Sequence, residues 1–391
     1  MFGVLAVVIG AGIYVPTSLL ADVPDAAAAI TQPVVAANPA AAPVFPDFGR
    51  SAVGAVGWDG ALATSGDQTP FPIASITKIV TALVVLEAKP LGADEAGPDI
   101  TFTDDDVDIY NDVLAQNGSL EDVEAGLTLT QRQTMETMLI PSANNYAESL
   151  AIWAYGSVDS YLSAARAFLD AHGLTDTTIV DTNGLSAGDT STPTNLIELG
   201  KLALASPVIA SIVAMPSAEE PFIGTIENTN DLLGVDGIDG IKTGTTDEAG
   251  ACLLFANDVQ VGSQTVTLVG VILGAEDHDV LDERVAPLLD SVAAGFHEVT
   301  LTTAGQQYAS YSTEWGEKAN AVSTETKTAL VWSDTPVTAA LSASPVESAT
   351  EGAQVGQIDF TVGATKVTVP LDIDATIEAP DTWWKLTHPG R

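Results

Sequence analysis

Ser75 and Lys78 stand three residues apart at the head of an apolar run, SITKIVTALVVLEA. Residues at that spacing share a helical face, so the hydroxyl and the amine can meet. A free serine hydroxyl is a weak nucleophile and needs an adjacent base. Lysine serves as that base when burial or a nearby cation lowers its pKa. Taken alone, the pattern is short, and the plainer reading is an N-cap serine followed by an unrelated lysine.

Two further clusters change that weighting. Ser142-Ala143-Asn144 follows Pro141 and precedes a helical stretch. It puts a hydroxyl that could relay a proton and an amide that could hold a substrate amide on one tight loop. Lys242-Thr243-Gly244-Thr245 closes the strand-like run GVDGIDGIK. A cation and a hydroxyl there can bind a carboxylate, Gly244 admits a substrate backbone, and the N–H groups that follow can serve an oxyanion. In isolation these would be an N-cap serine and a turn after an edge strand. The three clusters occur in this order within one region, on a helix, a loop and a strand.

The elements that must position these residues follow from periodicity. Ser51–Gly57 and Ala61–Thr64 flank Trp58-Asp59-Gly60 as a hairpin. Helices are expected over Ser75–Ala88, Leu129–Leu139, Asn144–Trp153, Val158–His172, Asn195–Leu204 and Glu283–Gly295. Strands are expected over Gly237–Thr243, Ala251–Ala256 and Val266–Leu273. Strands open and close the region and helices fill its middle, an α+β layout with the terminal strands in one sheet. From about His297 the chain turns to Thr, Val and Ala with period-2 runs such as ATKVTVPL, read as a small β-sandwich over Val299–Pro380.

The expected organisation has four parts. Residues 1–22 are a signal or membrane-anchor segment, because Phe2–Ala21 carries no charge and is long enough to span a bilayer. Residues 23–48 are an Ala/Pro-rich spacer, 49–298 the chemical domain, and 299–391 a β domain with a Trp-rich end. Trp383 and Trp384 beside Lys385 suit either a membrane interface or packing on the β domain.

Composition excludes other classes. A net charge of −39 repels phosphate backbones, so nucleic acid is not a partner. A single cysteine, Cys252, excludes an intramolecular disulfide and reads as a buried thiol. His172, His278, His297 and His388 have no metal-site spacing, and no metal or other cofactor is expected. Asp104–Asp106 with Asp108 lacks the order of a calcium loop and reads as a helix N-terminus that favours carboxylates.

The three clusters together form the S-x-x-K, S-x-N and K-T-G set of serine penicillin-binding enzymes. The chain resembles the D-alanyl-D-alanine carboxypeptidases, the low-molecular-weight penicillin-binding proteins, over roughly Gly49–Gly295. The stretches IASITKIVTALVVLE, HGLTDTTIVDTNGLSAGDTST and NTNDLLGVDGIDGIKTGTTDEAGACLLFA extend the likeness. Ala143 stands where many members carry Gly. The resemblance implies a β-lactamase/DD-peptidase-like domain, an antiparallel sheet flanked by helices, followed by the β domain. It implies that Ser75 is the acylated nucleophile, Lys78 its proton acceptor and Ser142 a relay towards the leaving amine. Asn144 would orient the substrate, Lys242 and Thr243 would bind its carboxylate, and the N–H groups of Ser75 and Thr245 would form the oxyanion hole. The partners implied are the peptidoglycan stem peptide, β-lactams as inhibitors, and a membrane through the N-terminal segment, on the extracytoplasmic side of a bacterium. A DD-endopeptidase shares all these residues. A class A β-lactamase needs a deacylating Glu, and none of Glu148, Glu198, Glu219, Glu220 and Glu227 lies in a recognisable deacylation loop. An inactive wall-binding module would not need Ser75, Lys78, Ser142 and Lys242 intact.

Overall fold

The computed structural model describes residues 14–388. The chain divides into two compact units. Ala42–Gly295 forms one, and the described residues before it join those from Phe296 onward to form the other.

The first unit is built on a five-stranded antiparallel sheet. Its strands are β1 (Arg50–Ala55), β2 (Ala63–Ser65), β3 (Ile238–Thr246), β4 (Gly250–Val261) and β5 (Gln264–Ala275), in spatial order β3-β4-β5-β1-β2. The hairpin β4–β5 pairs Val261 with Gln264 across Gly262-Ser263, and a two-residue loop with a left-handed glycine suits the twist of the strands. Residues Ala251–Ala256 and Leu268–Leu273 are almost wholly inaccessible, which is why these strands read as continuous apolar runs.

The helices of this unit are α1 (Thr77–Ala88), α2 (Asp104–Ala115), α3 (Gln131–Leu139), α4 (Asn144–Tyr155), α5 (Val158–Ala171), α6 (Pro193–Ala205), α7 (Pro207–Val213) and α8 (His278–Ala293), of which α6 packs on β1, β4 and β5, α7 on β3, and α8 on β4 and β5. Helix α1 is rich in β-branched residues with no intrinsic helical preference. It holds its form because it is buried nearly all round, from Thr77 to Val85, against α4, α5 and α6. Most helices begin on a hydroxyl cap. Thr130, Ser157, Thr192 and Ser206 each accept an N–H of the first turn. Thr103 and Asp106 form a capping box, so the run Asp104–Asp106 is the acidic first turn of α2, as the sequence indicates. Cys252 is fully buried, and burial pushes its thiol up to about 12, the state of an inert core thiol.

Three elements depart from expectation. The helix read from Ser75 begins at Thr77, and Ser75 sits in a single 3-10 turn, Ala74–Ile76. Ala74 ahead of it has φ +46, a left-handed conformation that breaks helical continuity. The short helix α7 and the hairpin of Ser217–Glu220 with Gly224–Glu227 were not anticipated. Both are too brief for periodicity to register.

Among its described residues the second unit is all-β apart from a helical stretch at 14–19 and its last helix. Its strands are β6 (Phe296–Thr302), β7 (Gln307–Ser312), β8 (Lys318–Ser323), β9 (Lys327–Trp332), β10 (Val337–Ala343), β11 (Gln354–Val362) and β12 (Thr365–Ile373). Strands β7-β8-β12-β11-β10 form a sheet, and β6 pairs with β9. Leu301 and Val331 from the small sheet share a core with Ile358, Phe360 and Val369 from the large one, which makes a sandwich. The expected spacer is corrected here. Ala29–Ile30 adds a sixth strand beside β7, Ala26 bridges Val346, and the Thr31 N–H donates to the Tyr308 carbonyl at 2.7 Å. An edge strand is held by main-chain hydrogen bonds, so small residues suffice and composition does not reveal it. The Trp pair divides its roles. Trp384 packs edge-on against Trp315 at 5.6 Å, while Trp383 is 74% exposed on the closing helix, Thr382–Thr387. Much of the expected signal or anchor segment lies outside the described residues. Among the described residues no single helix is long and apolar enough to cross a membrane.

Candidate active site

The strands and helices of the first unit bring all three clusters together. Ser75 occupies the 3-10 turn ahead of α1, and Lys78 points from the first turn of α1 with its side chain wholly buried. Lys78 Nζ makes three hydrogen bonds: to Ser75 Oγ at 2.9 Å, to Asn144 Oδ1, and to the Asn183 carbonyl at 2.8 Å. The last two partners can only accept. An uncharged amine has two hydrogens and one lone pair. Asn144 and Asn183 take the hydrogens, and the lone pair is left facing the Ser75 hydroxyl.

Burial favours the uncharged form of this amine. Burial pushes the Lys78 pKa well below the usual lysine range, and the Lys242 cation lowers it further, against the opposing pull of Asp181 and Asp189. Stripping water from an ammonium costs several kcal/mol. Burial is the largest influence on Lys78 and pulls it towards the neutral form.

Lys242 lies on β3 and is almost fully buried. Burial lowers its pKa to about 7. Its Nζ lies 3.4 Å from both Thr229 Oγ1 and Thr243 Oγ1, and those two hydroxyls bond each other. Thr245 Oγ1 bonds His278 Nε2 at 2.9 Å, at the start of α8. Gly244 faces the nucleophile turn so closely that a Cβ there would stand 3.0 Å from the Ser75 nitrogen and 3.1 Å from the Ile73 carbonyl oxygen. The strand cluster and the nucleophile's N–H are therefore adjacent, as an oxyanion hole shared between them requires.

Ser142 follows the end of α3 and is buried, with φ +69. A left-handed non-glycine residue marks a backbone held by its surroundings. Asn144 and Asn145 supply that support: the Asn144 N–H donates to the Ser119 carbonyl at 2.8 Å, and the Asn145 side chain bonds both main-chain groups of Glu121. Asn144, expected to orient substrate, spends its carbonyl oxygen on Lys78 and keeps its amide hydrogens for other work. Ser142, expected to link Lys78 onward, is not among the three partners of Lys78 Nζ.

Residues given no role in the sequence complete the site. Thr229 ties β3 to the loop before Ser142, because its N–H donates to the Ile140 carbonyl at 3.3 Å. Gly184 has φ +88, and a Cβ there would stand 1.9 Å from the Ala74 carbonyl oxygen. Both lie in stretches that carry the family likeness, NTNDLL and DTNGLS. The signal was present, but nothing in the chemistry of a lone threonine or glycine singled it out.

A family profile, peptidase S11, D-alanyl-D-alanine carboxypeptidase, matches residues 60–277, more than half of the chain. The chain belongs to this family. Among curated relatives, a D-alanyl-D-alanine endopeptidase of Pseudomonas aeruginosa is 31% identical over 196 residues, covering 48% of this chain and 60% of that one. The D-alanyl-D-alanine carboxypeptidase DacA of Escherichia coli is 26% identical over 248 residues, covering 62% of this chain and 60% of that one. The chain thus spans about 60% of the length of the relatives it matches. In structure it is similar to the D-alanyl-D-alanine carboxypeptidase DacD from Francisella tularensis, with a TM-score of 0.60 at 18% identity over 90% of this chain and 97% of that one. The fold is that of the S11 DD-peptidases.

Proposed function

We propose that the protein is a serine D-alanyl-D-alanine carboxypeptidase that trims the terminal D-alanine from peptidoglycan stem peptides. One observation carries the reading: the wholly buried Lys78 holds its Nζ 2.9 Å from Ser75 Oγ, where burial favours the neutral amine that can take the serine proton. In the proposed cycle Ser75 Oγ attacks the carbonyl of the penultimate D-alanine and Lys78 takes its proton. The tetrahedral oxyanion rests on the N–H groups of Ser75 and Thr245. Ser142 carries a proton towards the departing amine, Asn144 holds the substrate by its amide hydrogens, and Lys242 with Thr243 binds the terminal carboxylate. Water then releases the acyl group from Ser75.

Family membership and relatives named carboxypeptidase support trimming. A second reading, cleavage of cross-links, is favoured by two relatives of 31% and 29% identity that are named endopeptidases. Both readings place the enzyme outside the cytoplasm, held by its N-terminal segment, with β-lactams as acylating inhibitors. Diacetylated Lys-D-Ala-D-Ala and a purified cross-linked dimer, offered separately, distinguish them by mass spectrometry. D-alanine release from the peptide alone supports trimming. Cleavage of the dimer alone moves the assignment to the endopeptidase.

A further inference from the structure

The segment 181–189 touches the nucleophile turn and its helix at four places. The Asp189 carbonyl accepts the Ile73 N–H at 3.0 Å. Gly184 lies against the Ala74 carbonyl. The Asn183 carbonyl takes Lys78 Nζ at 2.8 Å, and the Thr182 carbonyl takes Thr81 Oγ1 at 2.7 Å. Whatever shapes this segment therefore sets where Ser75 and Lys78 stand.

Two carboxyl groups shape it. Asp181 Oδ1 accepts the N–H groups of Asn183 and Gly184 at 2.8 and 2.6 Å, and its Oδ2 accepts that of Ser186 at 2.7 Å. Asp189 is wholly buried, and its Oδ1 accepts the N–H groups of Val180 and Asp181 at 2.6 and 3.2 Å. Asp189 Oδ2 is buried with no hydrogen-bond partner among the described residues, and the Asp181 carboxyl is its charged neighbour. Two neighbouring carboxylates in a buried site repel each other, and no cation pairs with the partnerless oxygen. A carboxylic acid beside a carboxylate avoids that repulsion.

We infer that Asp181 and Asp189 share one proton, and that this acid–carboxylate pair is the positioning device that holds the Ser75 turn and keeps Lys78 a neutral base. The inference rests on the roles proposed above for Ser75 and Lys78. Burial and the neighbouring Asp181 carboxyl push the Asp189 carboxyl up to about 8. Burial opposes ionisation of Asp181 too, but the neighbouring Asp189 carboxyl and the N–H groups of Gly184, Asn183 and Ser186 outweigh it and hold that carboxyl below the usual range. The other ionisable groups facing the pair are Lys78 from α1, Glu148 from α4 and Tyr161 from α5. Glu148 and Tyr161 are neutral or anionic in either protonation state, so neither supplies a compensating positive charge, and burial raises the pKa of both. Loss of the shared proton would set two adjacent anions in the segment and draw a proton onto Lys78. Both effects slow acylation.

Asp189→Asn is the discriminating variant. Its amide oxygen still accepts from Val180 and Asp181, its N–H donates to Asp181, and it has no proton to lose. Acylation is followed as a first-order rate at saturating labelled penicillin, where the bound carboxylate keeps Lys242 charged. Wild type is expected to slow about threefold or more between about pH 7 and pH 9, while Asp189→Asn holds its own neutral rate over that range. Asp181→Asn is expected to acylate at least about tenfold more slowly throughout, because its amide cannot accept all three N–H groups. Coincident alkaline limbs in wild type and Asp189→Asn overturn the inference. A second readout needs no catalysis. With 13C at aspartate carboxyls only, wild type is expected to show one carboxyl titrating near pH 8 that is missing from Asp189→Asn. The absence of any aspartate titrating above about pH 7 overturns the shared proton. If wild type takes no penicillin at any pH, the proposed function fails, and the carboxyl titration still decides the pair.

Discussion

Ser75, Lys78 and Lys242 were legible as chemistry because their types are unusual where they stand: a serine and a lysine heading an apolar helix, and a lysine closing a buried strand. Their energetics were not legible. Only the structure shows that both lysines are desolvated, and that shapes how activity depends on pH. Lys242 titrates near 7. Its charged form binds a substrate carboxylate and its neutral form does not, so productive binding weakens as the pH rises through that value. Steady-state kcat/KM for a D-Ala-D-Ala peptide is expected to fall on the alkaline side of about pH 7, chiefly through KM. Lys242→Gln is expected to raise KM by about thirtyfold or more, because a buried charge pair is lost, and to flatten that limb. Lys78→Ala is expected to cut the acylation rate about 10²- to 10⁴-fold, the range of a lost general base. Rapid-quench measurement with labelled penicillin checks this.

At the scale of elements, the sequence indicates the central sheet strands as short continuous apolar runs and the long helices by longer apolar stretches. It fails where geometry is set by close approach. The helix was read from Ser75, but the left-handed Ala74 turns the nucleophile into a separate 3-10 step, and Gly184 makes room for that turn. Gly184→Ala is expected to destabilise the fold by about 3 kcal/mol, from overpacking and left-handed strain together. Gly57 also has φ +88 but meets nothing within 4 Å. Gly57→Ala is therefore expected to cost only the strain, about 1 kcal/mol. Urea denaturation of the two variants separates the clash from the strain. Acylation is expected to suffer in Gly184→Ala and to survive in Gly57→Ala.

Over the whole molecule, composition indicated two units and an acidic surface but mistook part of the second unit for a spacer. The strand Ala29–Ile30 covers the edge of β7. A fragment that begins at Phe296 would leave that edge open and is expected to self-associate, in sedimentation or light scattering, where a chain retaining residues 14–41 does not. The net charge of −39 opposes an anionic substrate at long range, while the site lysines act only nearby. Raising salt from about 0.01 to 0.15 M shortens the screening length from roughly 30 to 8 Å and is expected to increase kcat/KM several-fold, the reverse of a site steered by a positive field. The central claim is that Ser75 is made nucleophilic by a buried neutral Lys78 and forms an acyl-enzyme. Its most direct test is intact-protein and peptide mass spectrometry after exposure to benzylpenicillin at neutral pH, on wild type and Ser75→Ala. One adduct per chain is expected, located on Ser75 and missing from Ser75→Ala. An adduct on another residue, or none on wild type, contradicts it.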